Sequence, residues 1–114
     1  MQEIYIPKLK LKVKFLIGKD AKNNTEIINQ SQDNDLWFHV NDLSSCHVIA
    51  FIHDLNISRK DLRYIVIQGA LLCKQNSKYR SDNNIEIIYT RIKNVETLEK
   101  PGLVITTDTK VVTI

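Results

Sequence analysis

Apolar and polar residues alternate in two stretches of the chain and recur at helical spacing in a third. Across residues 8–15, Lys8, Lys10, Lys12 and Lys14 fall on one side of an extended chain, with Leu9, Leu11, Val13 and Phe15 on the other. Pro7 suits the start or edge of such a strand, where no ladder donor is needed. From Asp35 to Val48, Leu36, Phe38 and Val40 alternate with Trp37, His39 and Asn41. The run Asn41-Asp42-Leu43-Ser44-Ser45 is rich in short side-chain acceptors that favour turns. Val48-Ile49-Ala50-Phe51-Ile52 is almost unbroken apolar sequence, the pattern of a strand buried on both faces. The predicted result is a hairpin at the centre of a sheet.

Helical spacing follows His53. Ser58 and Asp61 stand as a capping box, and Leu62, Ile65, Val66, Gly69, Leu72 and Cys73 mark one apolar face, broadened by Ile67 and Leu71. This predicts a helix over about residues 58–77. Gly69 costs about 1 kcal/mol against Ala in mid-helix, so its presence predicts a close approach to the sheet. Elsewhere, Gly18–Asn24 reads as a loop. Residues 25–30 read as a short helix capped by Asn24 or Thr25, and 31–34 as a polar connector. Residues 85–90 form a strand. A charged connection over 91–100 and a Pro101-Gly102 turn then lead to a closing hairpin, 103–107 with 110–114. Strands, one long helix, then strands give an α+β domain. The expectation is a single domain over 1–114, a mostly antiparallel sheet with the helix packed on it.

Composition narrows the class. At 114 residues, 43% hydrophobic and 25% charged, the chain has ordinary globular values for one core. No apolar run approaches the ~20 residues that span a bilayer, so no membrane partner is expected. Met1-Gln2-Glu3-Ile4 lacks the basic-then-apolar pattern of a secretory signal. Two cysteines are too few for a disulfide framework, which points to a reducing, cytoplasmic setting. The net charge of +3 is compatible with a polyanionic partner without requiring one.

The side chains offer candidate chemistry of three kinds. The spacings of His39, Cys46, His47, His53 and Cys73 match no closed zinc pattern, so neither metal nor cofactor is expected. Ser44, Ser45 or Cys46 beside His47 and Asp42 resembles a triad on paper only, and no Gly-x-Ser-x-Gly elbow occurs. A non-catalytic role is therefore expected. Nucleic-acid binding has more material. Lys19, Lys22, Arg80, Arg91 and Lys93 are available for phosphates, and Trp37 and Tyr89 for stacking. The four lysines of residues 8–14 fit two uses, phosphate contact or protection of a sheet edge. Trp37 and His39 likewise fit base or sugar contact, or a brace within the sheet. A brace is expected to join Asp35, His39 and His47 through hydrogen bonds, over a core containing Phe38, Val40 and Val48.

Several of these segments stand in one family's order. Gly18-Lys19-Asp20-Ala21-Lys22-Asn23-Asn24, Asp35-Leu36-Trp37-Phe38-His39-Val40 and Ser44-Ser45-Cys46-His47-Val48 resemble the NFACT-R domain, the presumed RNA-binding module of NFACT proteins. Tyr89-Thr90, Lys93-Asn94-Val95 and Lys100-Pro101-Gly102-Leu103-Val104 extend the resemblance over about residues 15–114. Many family members carry Pro-Gly-Ser before the second His; Ser44-Ser45-Cys46 is closer to the small standalone eukaryotic form. The helix-hairpin-helix and coiled-coil segments of large NFACT proteins have no counterpart here, so tailing of stalled chains is not implied. The resemblance implies RNA binding, to tRNA or rRNA, linked to translation or ribosome-associated quality control. The ribosome or a larger NFACT protein would be a further partner. The expected contacts are Lys19, Lys22, Trp37, His39, His47, Arg80, Arg91 and Lys93. Docking on a ribosomal or quality-control protein is the alternative, and oligomeric state is left open.

Overall fold

The computed structural model describes residues 1–114. It contains strands β1 (Gln2–Ile6), β2 (Leu11–Ile17), β3 (Leu36–Val40), β4 (Val48–Phe51), β5 (Glu86–Arg91), β6 (Val95–Thr97), β7 (Val104–Thr106) and β8 (Lys110–Thr113), with helices α1 (Ala21–Asn29) and α2 (Leu62–Gln75). Six strands form one sheet in the order β1-β2-β4-β3-β5-β8, all pairs antiparallel, and β6-β7 form a separate ribbon. The α+β expectation holds, and β3 and β4 occupy the middle of the sheet. No helix is long and apolar enough to cross a membrane.

The alternation in β3 divides two cores. Leu36, Phe38 and Val40 join Phe15, Val48, Ala50 and the buried face of α2 on one side. Trp37 joins Leu16, Ile49, Ile92 and the α1 residues Ile27 and Ile28 on the other, flanked by Val95 and Val104 of the ribbon. A sheet buried on both faces explains the unbroken apolar run of β4, where Val48, Ile49 and Ala50 are fully buried. Gly69 is the point of closest approach: a Cβ there would lie 2.3 Å from Phe38 Cζ.

Asp35, fully buried at the start of β3, ties three segments together. Its carboxylate accepts from the backbone N–H groups of Gln32 (2.9 Å), Ile52 (2.8 Å) and His53 (2.9 Å), and from His53 Nδ1 at 2.9 Å. The brace expected to join Asp35 with His39 and His47 is therefore not formed. Asp35 sits at the opposite end of β3 from His39 and pairs with His53.

Several boundaries differ from the sequence expectation. Lys8 and Lys10 belong to a turn opened by Pro7, with Lys10 at φ 53°, and only Lys12 and Lys14 lie on β2. Polar Gln2 and Glu3 had concealed β1, which pairs Tyr5 with Lys12 and Glu3 with Lys14. Helix α1 begins earlier than expected, because Asp20 rather than Asn24 caps it, accepting from the Asn23 N–H at 2.8 Å. Helix α2 is shorter than residues 58–77: Ser58 Oγ accepts from Asp61 N at 3.1 Å, but the turn it closes precedes the helix. Ile67, expected on the broadened apolar arc, is 44% exposed. The expected closing hairpin is also absent. β7 pairs with β6 and β8 with β5, because a bend at Asp108 (φ 51°) carries the chain from the ribbon to the sheet edge. Thr90 Oγ1 secures that bend by donating to the Thr107 carbonyl at 3.0 Å.

Two substitutions check this packing. Gly69→Ala should destabilise by about 1–3 kcal/mol in denaturant unfolding despite better helix propensity, because the buried Phe38 ring has no room to yield. Asp35→Ala, which orphans three backbone donors, should cost about 3–5 kcal/mol in the same measurement.

Candidate functional site

At the far end of β3 from Asp35, four chain segments converge on an open cleft of about 560 Å³. Its walls are Gly18–Ala21 with Asn24, His39 on β3, Ser44–His47 before β4, and Pro101–Leu103, with Asn76 at the exit of α2. Each wall is fixed by local chemistry. Gly18 N–H donates to the His47 carbonyl at 2.9 Å, and the Asn24 side chain, held under Gly18, accepts from His47 N–H at 3.2 Å. A Cβ on Gly18 would fall 1.7 Å from Asn24 Oδ1, so only glycine fits over that amide. Gly102, at φ +83°, donates its N–H to Thr25 Oγ1 at 2.9 Å and so anchors the 101–103 turn on α1. Ser45 Oγ accepts from Val40 N–H at 3.1 Å and closes the β3–β4 turn.

The floor is aromatic. The His39 ring stacks on Trp37 with centroids 5.6 Å apart at 10°. His47 meets both edge-on, at 5.4 Å from Trp37 and 5.1 Å from His39. Trp37 Nε1–H donates to His47 Nδ1 at 3.1 Å, and His39 Nδ1–H donates to the Val40 carbonyl at 2.6 Å. Burial lowers the pKa of His39, opposed by the Val40 hydrogen bond. Burial, helped by the neighbouring His39, lowers that of His47 to about 4. Cys46 and Cys73 are both free and pack together, each thiol pointing at the other residue's carbonyl at 3.9 and 3.8 Å.

The structure separates the residues that the sequence had grouped. Lys19, His39 and His47 line the cleft, and exposed Lys22 follows the cleft residue Ala21 on α1. Trp37, 1% exposed, has no free ring face and serves as floor. Tyr89 lies across the sheet on the α2 side, stacked on Phe38 at 6.0 Å. Arg91 and Lys93 border a different hollow with Asn34 and His53. Arg91 pairs with Leu36, three residues before His39 and about 10 Å away along the strand. Arg80 is exposed beyond α2 and borders neither hollow. Asp20, Asn24 and Gly102 are not among the contacts expected from the sequence, and Ser45 enters that reading only as a nucleophile on paper. The Asp20-x-x-Asn23 cap, the acceptor-rich turn holding Ser45 and the Pro101-Gly102 turn had local signals, whereas the contacts of Asn24 with His47 and of Gly102 with Thr25 join distant segments. No group of three or more His, Cys, Asp or Glu side chains is placed to hold a metal ion.

An antiparallel α+β domain whose central hairpin ends in a polar, His-floored cleft is the class defined by this geometry. The family model described as "NFACT protein RNA binding domain" matches residues 5–109, and the chain belongs to that family. It is similar to coiled-coil domain-containing protein 25 of Bos taurus and of Danio rerio, at 32% and 33% identity over 81 residues. The Dictyostelium discoideum homolog is 32% identical over 81 residues. Each match covers 70% of this chain and 39% of the relative, so the aligned part is about two-fifths of those proteins. These eukaryotic relatives agree with the eukaryotic character of the Ser44-Ser45-Cys46 variant. Among solved structures, the C-terminal part of the fibronectin/fibrinogen-binding protein from Streptococcus suis superposes with a TM-score of 0.77 at 25% identity. That superposition covers 90% of this chain and 40% of the other.

The histidines make opposite demands on pH. His47 folds neutral, so stability present above the unfolded value of 6.5 should be lost as pH falls from there toward about 4. His53 is raised by its Asp35 hydrogen bond, so its contribution is full below pH 6.5 and lost as pH rises through the raised value. Imidazole NMR titration checks both: His53 should titrate above 6.5, whereas His47 should stay neutral at roughly pH 6. A His47 midpoint near 6.5 would contradict the buried arrangement.

Proposed function

We propose that residues 1–114 act as a single, non-catalytic RNA-binding domain, with tRNA or rRNA as ligand, serving translation or ribosome-associated quality control in the cytoplasm. One observation carries this. Three segments that carry the family resemblance, Gly18–Asn24, Ser44–Val48 and Lys100–Val104, are distant in sequence and meet at one cleft with His39 of a fourth, Asp35–Val40, whereas Tyr89-Thr90 and Lys93–Val95 lie outside it. The family's own description is an RNA binding domain. Lys19 at the cleft and Lys22 beside it supply phosphate contacts that position a strand without reading its sequence. The ribosome or a larger NFACT protein is the setting in which such a contact would operate.

Docking on a ribosomal or quality-control protein is a second use, favoured by the ribbon next to the cleft. Leu98, Leu103 and Ile105 there are 38%, 49% and 52% exposed, and Leu103 reaches the cleft wall. The double substitution Lys19→Glu with Lys22→Glu separates the two. For RNA binding, the affinity for tRNA or a short single-stranded RNA, read by fluorescence anisotropy, should fall at least about tenfold. The slope of log affinity against log salt should also flatten by about 1.4 for two lost phosphate contacts. Unchanged affinity and slope in the double variant would count against this site. Retained RNA binding with lost recovery of a protein partner would favour docking.

A further inference from the structure

Cys46 and Cys73 stand 27 positions apart in the chain and meet where the segment before β4 passes α2. Each sulfur lies against the other residue's main chain. Cys46 Sγ is 3.9 Å from the Cys73 carbonyl oxygen, and Cys73 Sγ is 3.8 Å from that of Cys46. This crossed arrangement turns the two side chains toward each other, as a disulfide requires. The two positions differ in access. Cys46 belongs to the cleft wall and is half-buried, whereas Cys73 is fully buried in the core on the α2 side. The thiols also act on each other. Contact with Cys73 lowers the pKa of Cys46, and the same contact, together with burial, raises that of Cys73. The accessible sulfur is thus the one favoured as thiolate, with a protected thiol beside it.

We propose that Cys46 and Cys73 form a reversible disulfide when the protein meets a peroxide, so that the cleft wall carries a redox-modification site. The Cys46 thiolate attacks one peroxide oxygen and the O–O bond breaks, leaving a sulfenic acid on Cys46 and, after protonation, one water. The Cys73 sulfur gives up its proton and attacks the Cys46 sulfur, and the S–O bond breaks to release a second water. Two thiols are oxidised and one peroxide is reduced to two waters. A dithiol reductant returns the pair to its starting state by exchange. In a reducing compartment such bonds are transient and sense oxidation rather than staple a fold. The bond also acts on the cleft. Its sulfurs must approach to about 2 Å, which draws the Ser44–His47 wall toward α2. Cys46 lies between Ser45, which closes the β3–β4 turn, and His47, which forms part of the floor. Asn76, just beyond Cys73 at the exit of α2, lines the same cleft.

The test treats the intact, reduced protein in native buffer with hydrogen peroxide and then with dithiothreitol. Peroxide should remove both free thiols, lower the mass of the monomer by two hydrogens and join the peptides that hold Cys46 and Cys73. Dithiothreitol should restore the starting mass. The bonded monomer should unfold about 10 °C above the reduced one, because the bond closes a loop in the unfolded chain. In Cys46→Ser, the buried Cys73 should stay a thiol under the same treatment. In Cys73→Ser, Cys46 should stop at the sulfenic acid and be captured by dimedone. Imidazole NMR of the bonded form should show His47 shifted and His53, at the other end of the hairpin, unmoved. Three results would each overturn the pairing: oxidised Cys46 accumulating in the wild type beside a Cys73 thiol, disulfides only between chains, or a bonded monomer that unfolds below the reduced one. Unchanged His47 signals in the bonded form would overturn its link to the cleft.

Discussion

A single buried carboxylate fixes the geometry on which the rest depends. Asp35 stands where the chain enters the central hairpin, and its two oxygens receive donors from the turn before β3 and from the end of β4. Both ends of the hairpin are thus specified. The near end is held by charge-assisted bonds to Asp35, and the far end by Ser45 and the Val40 N–H. Between them β3 has no freedom to slip by a residue, a slip that would exchange Trp37 with Phe38 and turn both cores inside out.

The second face of the sheet brings in the other elements. Trp37 and Ile49 need cover on that side, and α1 and Ile92 provide it through Ile27, Ile28 and the short link to the ribbon. Because α1 must reach Leu16 and Ile28 must reach Trp37, the loop before α1 is drawn over the hairpin end. The Pro101-Gly102 turn is drawn in by Thr25. The cleft is thus what remains where three covering segments meet but do not seal. Its walls carry polar backbone and small side chains, while Trp37 below gives it a rigid base.

Much of this was legible in the sequence because it depends on periodicity. The alternation of Leu36, Phe38 and Val40 with Trp37 and His39, the apolar run of β4 and the close approach at Gly69 all follow from local pattern and are realised in the fold. The misjudged parts are those decided by tertiary partners. β1 carries too little apolar sequence to announce itself and exists because β2 offers it a ladder. β7 looked like the mate of β8 until Thr90, on β5, pinned the bend between them. The candidate site divides the same way. His39 and His47 drew attention as rare residues placed close together, but their roles depend on Trp37, Val40 and Asn24. Asp35 was paired with the wrong histidines because sequence distance favoured His39, whereas the antiparallel return of β4 delivers His53.

Trp37 is the only tryptophan in the chain, and its indole N–H is bonded to the cleft itself. The protein therefore contains a built-in optical reporter at the place where chemistry is concentrated. Its emission comes from one environment, shielded from solvent and in contact with two imidazoles. Any event that protonates, displaces or covers those rings alters that emission directly, without an added dye. The arrangement that fixes the tautomer of His47 also makes the occupancy of the cleft visible.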